Sequence, residues 1–107
     1  MLKDIYNKLV RDKIPDIILA QGDTPKTKLL SEKSYYLALN EKLKEELKEY
    51  LADGSVEELA DMAEVILALA KFKGFSQQAF EEMRLKKQTE RGGFDKRIYL
   101  VEVERKS

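Results

Sequence analysis

At 107 residues, with 37% charged and 43% apolar side chains, the chain has room for one domain around a modest core, and its composition is that of a folded helical protein. Cysteine and histidine are both absent, which excludes disulfides, thiolate catalysis and zinc-thiolate sites, so a metal must be bound through oxygen and a general base must be a carboxylate, lysine or tyrosine. The formal charge is zero but unevenly placed, at about +2 over residues 1–30, about −6 over 31–70 and about +4 over 71–107. An acidic centre between basic flanks fits a metal held in the middle and phosphates held from the sides; it also fits ordinary variation among helical surfaces. The balance argues against a general nucleic-acid binder. The first residues are too charged for a secretory signal and no apolar run is long enough to span a bilayer, so a cytoplasmic protein without a membrane role is expected.

Along the chain, YNKLVRDKIPDIILAQG begins irregular and becomes a short helix, with Pro15 in the first turn, Ile14, Ile17 and Ile18 as its apolar face, and Gly22 as its stop. Lys8, Arg11 and Lys13 precede it as a basic segment able to meet an anionic ligand. Residues 26–30 alternate weakly and read as a short strand, for which the β-branched, aromatic run at 98–103, IYLVEV, is the best partner. A second helix is expected over 32–52. It carries an apolar stripe of Leu39, Leu43, Leu47, Tyr50 and Leu51, with Glu46 bordering the stripe, Glu49 just outside it and Glu45 turned furthest toward water. Lys42, Lys44 and Lys48 are placed to form local ion pairs on that acidic face.

An Asp-Gly-Ser break then leads into a third helix over 56–73. Apolar residues surround most of its circumference, which marks a central, largely buried helix. Glu58 and Asp61 fall in the sector held by Val65, Leu69 and Phe72, away from the polar edge of Glu57, Glu64 and Lys71. A carboxylate buried without a partner costs several kcal/mol by the general rule for buried charge, so a cation or a donor is expected beside them. Glu58 also fits a capping box with Ser55. Glu46 and Glu49 lie one turn apart on the second helix, as do Glu58 and Asp61 on the third. So short a connection makes the helices antiparallel, and the two pairs can face each other as an oxygen-rich site for Mg²⁺. Ser76 caps a fourth helix over 77–90, with Phe80, Met83 and Leu85 packing inward. Its basic end, Lys86, Lys87 and Arg91 before Gly92-Gly93, suits the helix dipole and could also grip phosphate oxygens.

Glu45-Glu46-Leu47-Lys48-Glu49 followed by Glu58-Leu59-Ala60-Asp61 resembles the EExxE…ExxD signature of the MazG-like, all-α NTP pyrophosphohydrolases, whose relatives include MazG proper, dimeric dUTPases and phosphoribosyl-ATP pyrophosphohydrolase. YNKLVRDKIPDII and ERGGFDKRIYLVEV look like the segments of a compact, phosphoribosyl-ATP pyrophosphohydrolase-like subgroup. The resemblance covers nearly the whole chain. It implies a mainly α, four-helix MazG-like bundle over residues 1–107, here with a small two-stranded β element near the termini. It further implies Glu46, Glu49, Glu58 and Asp61 as ligands of Mg²⁺, with Mn²⁺ as a substitute, and Lys87 and Arg91 as phosphate contacts.

The expected activity is Mg²⁺-dependent hydrolysis of a nucleoside triphosphate, including non-standard ones, to monophosphate and pyrophosphate. Glu45 or Glu46 would serve as general base, and Lys8 and Arg11 would add to the phosphate contacts. Two other readings compete: phosphoribosyl-ATP pyrophosphohydrolase itself, and a non-catalytic helical module for oligomerisation or nucleotide sensing. A third helix apolar nearly all round is hard to cover in so small a chain, so a homodimer or higher symmetric oligomer is expected.

Overall fold

The computed structural model describes residues 2–107. Its helices are α1 (Ile14–Ala20), α2 (Glu32–Asp53), α3 (Val56–Phe72) and α4 (Gln77–Arg91), a mainly α chain whose elements fit a four-helix bundle. Their boundaries follow local chemistry. Ser31, Ser55 and Ser76 each accept a hydrogen bond from the backbone N–H three residues on, at Ser34, Glu58 and Ala79, which satisfies donors that the first turn of a helix leaves free. Gly54 closes α2 in the left-handed region, at φ 73°, where a side chain costs about 1–2 kcal/mol. Only Gly54 and Ser55 separate α2 from α3, so the two helices double back as an antiparallel pair.

That pair is the packing centre. α3 lies along α2, α4 rests less extensively on α3, and α1 does not come within packing distance of another helix. Leu39, Val65 and Ala70 are the buried apolar residues. Near the start of α2 and the end of α3, the Phe72 ring stacks on Tyr36 at 5.0 Å and meets the edge of Tyr35 at 6.0 Å, an aromatic clasp that fixes the helix pair at that end. The acidic residues lie toward the other end, nearer the Gly54 turn.

Two expectations are corrected. Among the described residues there is no strand. Residues 26–30 and 98–103 run as irregular chain, and Ile98, Tyr99, Leu100, Val101 and Val103 are each at least 66% exposed. A strand exists only when its backbone is paired, and neither segment finds a partner within the chain. Nor is α3 largely buried: Val65 and Ala70 are, but Val56 and Leu59 are exposed, as are Leu47 and Leu51 on α2. Each packed neighbour covers only one stripe of a helix, and α3 has one full neighbour and part of a second. The radius of gyration, 19.1 Å, exceeds the roughly 13 Å of a compact domain of this length.

Candidate metal centre

Glu46 projects from α2 and Glu58 and Asp61 from the first two turns of α3, so the antiparallel turn brings them together. One carboxylate oxygen from each lies within 4.8 Å of the other two. Glu46 is only 6% exposed, while Glu58 and Asp61 are half-buried. The Oε2 atoms of Glu46 and Glu58 are both buried without a hydrogen-bond partner, in a protein class where nearly every buried polar atom has one.

The electrostatics match the geometry. Burial, and next the charge of Glu49, raise the pKa of Glu46 above the usual carboxylate value, against a lowering by Lys42. Glu58 is likewise raised, first by burial and then by Glu49, Asp61 and Glu46. Three basic side chains reach in. Lys42 Nζ lies 3.4 Å from Glu46 Oε1 and 3.5 Å from Glu45 Oε1. From the N-terminal segment, Lys8 Nζ sits 3.2 Å from Glu45 Oε1 and Arg11 Nη2 donates to Asp61 Oδ1 at 2.7 Å. Burial alone would raise the pKa of Glu45, but the hydrogen bond from Lys8 and the charges of Lys42 and Lys8 hold it below the usual range; the same bond raises Lys8.

The site residues expected from sequence divide accordingly. Glu46, Glu58 and Asp61 converge; Glu49 is exposed beside them, close enough to act on Glu46 and Glu58 through its charge, but contributes no oxygen to the triad. Glu45 is not the residue turned furthest to water, because Lys8 and Lys42 cover it. Asp61 retains 43% side-chain exposure and already has one donor in Arg11. Only half of the capping box at Glu58 is visible: its N–H donates to Ser55 Oγ at 3.4 Å, while its Oε2 has no partner. Lys87 and Arg91 are exposed on α4, and Arg91 borders an open cleft of about 500 Å³ with residues 92–98. Neither is joined to the acidic cluster by an ion pair among those of the described residues. Lys42 as a half-buried counter-ion is the residue that sequence reading undervalued; its i,i+3 and i,i+4 spacing to Glu45 and Glu46 was the available signal.

The donor set fits a hard divalent cation. All donors are carboxylate oxygens, and Glu46 and Glu58 each carry a buried oxygen without a partner. With Mg–O bonds of about 2.1 Å, oxygens on opposite sides of the ion lie about 4.2 Å apart, so a small side-chain rotation closes the 4.8 Å span. Glu46, Glu49, Glu58 and Asp61 supply four negative charges, of which Lys42 and Arg11 offset two, leaving the charge of one divalent ion.

Among known proteins, an uncharacterised protein of Mycolicibacterium smegmatis is 49% identical to this chain over 45 residues, 42% of this chain and 46% of that protein; the match thus spans about half the length of the relative. No family model matches the chain, and no solved structure does.

Proposed function

We propose that the chain is a MazG-like, Mg²⁺-dependent nucleoside triphosphate pyrophosphohydrolase, cleaving between the α- and β-phosphates to give a monophosphate and pyrophosphate. The observations that carry this reading are the convergence of one carboxylate oxygen each from Glu46, Glu58 and Asp61 between two helices and the buried, partnerless Oε2 that Glu46 and Glu58 each carry. A solvated acidic face would not bury them, and a purely structural cluster would pair them.

Glu46, Glu58 and Asp61, with Glu49 beside them, would hold the ion, which when bound supplies charge neutralisation for the triphosphate and activation of water. The protein's own groups do the rest. Glu45 or Glu46 would take the proton of the attacking water: Glu45 carries Lys8 and Lys42 as hydrogen-bonding counter-charges, and Glu46 is itself one of the residues that would hold the ion. Arg11, paired with Asp61, and Lys8, paired with Glu45, would bring their charge to an incoming triphosphate. Lys87 and Arg91 form a second basic set for the distal phosphates. Clearing non-standard nucleotides is the role that the family resemblance suggests, and the assembly is a homodimer or higher homo-oligomer.

The test is pyrophosphate release across a panel of ordinary and modified triphosphates and phosphoribosyl-ATP, with and without Mg²⁺. Release that requires Mg²⁺ and is lost in Asp61→Asn, with helicity unchanged by circular dichroism, supports the reading. An absence of release from every compound would refute it.

A further inference from the structure

Two stretches of the chain have β character and no partner. Residues 26–30, KTKLL, and residues 98–104, IYLVEVE, carry no backbone hydrogen bonds outside the helices, and the second leaves five large apolar side chains in water. An unpaired segment of this kind is a template for another strand. Its sequence also specifies which one. In an antiparallel register with Lys28 opposite Glu102, Lys26 falls opposite Glu104 and Leu30 opposite Leu100 on one face, and Leu29 opposite Val101 on the other. Thr27 then faces Val103, a β-branched pair, and each of the other four pairs is either opposite in charge or apolar on apolar. A parallel register that aligns the same charges sets Leu30 against Lys106.

We infer that these segments pair between two copies of this chain, the C-terminal segment of each copy adding as a strand to residues 26–30 of the other. Within one chain neither segment is paired, and the molecule is elongated, spanning 70 Å along its longest axis. The exchange is isologous: each copy gives one strand and receives one, so the contact closes as a dimer. It is independent of the nucleotide reading, since it invokes none of Glu45, Glu46, Glu49, Glu58 and Asp61.

The absence of native cysteine makes the test clean. Directly opposed strand residues have Cα atoms about 4.5–5.5 Å apart, within disulfide range. The double variant Lys28→Cys/Glu102→Cys should, on mild oxidation at low micromolar concentration, run as a covalent dimer on a non-reducing gel. Mixing the single variants Lys28→Cys and Glu102→Cys should give the mixed covalent dimer. In a second arm free of cysteine, Lys28→Glu and Glu102→Lys should each shift the light-scattering mass toward monomer, and mixing them should restore the dimer. A cross-linked monomer would place the pairing within one chain and overturn the inference. So would a monomeric wild type, or cross-linking no greater than in Thr27→Cys/Glu102→Cys, whose side chains point to opposite faces.

Discussion

Glu46→Gln removes the charge of the most buried carboxylate and keeps its shape. In metal-free protein this should stabilise the fold, because the Glu46 Oε2 is buried with no partner, a condition that costs about 1–3 kcal/mol, and a glutamine amide can donate to the neighbouring carboxylates. Against this stands the loss of the Lys42 pair at 3.4 Å. That contact is an i,i+4 pair between side chains largely out of water, so its loss weighs more than the few tenths of a kcal/mol of an exposed pair, but Lys42 keeps Glu45. The net gain is on the order of 1 kcal/mol, or about 4 °C in Tm for a domain of this size. With a divalent ion present the order should invert. Binding at a hundredfold excess over Kd adds about 2.7 kcal/mol to a protein with an intact site, and the glutamine variant loses most of that gain. Scanning calorimetry of both proteins, in chelator and in Mn²⁺, reads the crossover. A variant less stable than wild type in chelator, or an equal Mn²⁺ shift in both, would refute the reasoning.

Arg11→Ala frees Asp61 from its 2.7 Å partner. The pair is half exposed and worth under about 1 kcal/mol, so Mn²⁺ affinity measured by calorimetry should rise by up to about fivefold, while the KM for a triphosphate rises as well. Because the folded pKa values of Glu46 and Glu58 lie above their ordinary value of 4.5, metal-free stability from their protonated forms should be fully present below pH 4.5 and be lost as pH rises through the folded values; Mn²⁺ affinity should rise over the same interval, since the ion competes with those protons. Glu45, shifted the other way, contributes stability that is present above 4.5 and lost as pH falls further, so it does not cancel this trend. Gly54→Ala, at φ 73°, should destabilise by about 1–2 kcal/mol and weaken metal binding with it, because that turn sets the α2–α3 alignment; chemical denaturation with a parallel Mn²⁺ titration measures both. Lys87→Ala and Arg91→Ala should raise KM for triphosphate and leave Mn²⁺ affinity unchanged.

What could be read in the sequence was what local chemistry controls. Ser31, Ser55 and Ser76 announce the helix starts, Gly54 the turn, and the i,i+3 spacing of Glu58 and Asp61 puts both on one face of α3. From these followed a convergence of four carboxylates, Glu46, Glu49, Glu58 and Asp61, of which the structure brings three together and leaves Glu49 beside them. The contacts of Lys8 and Arg11 did not, since residues 37 and 50 positions away in sequence leave no periodic trace. Glu45 was misjudged for the same reason: the helical wheel sends it toward solvent, and what covers it comes from a segment outside the helix. The burial of α3 was overstated because hydrophobic patterning records which faces need cover without saying whether this chain or a neighbour supplies it.

The central claim is that the carboxylates joining α2 to α3 hold a divalent cation. A Mn²⁺ titration followed by electron paramagnetic resonance addresses it without substrate or turnover. Saturable loss of the free-ion signal in wild-type protein, displaced by Mg²⁺ and absent in the double variant Glu58→Gln/Asp61→Asn with its helices intact, is the expected result. A wild-type protein that leaves the free-ion signal unchanged across the titration would contradict the account.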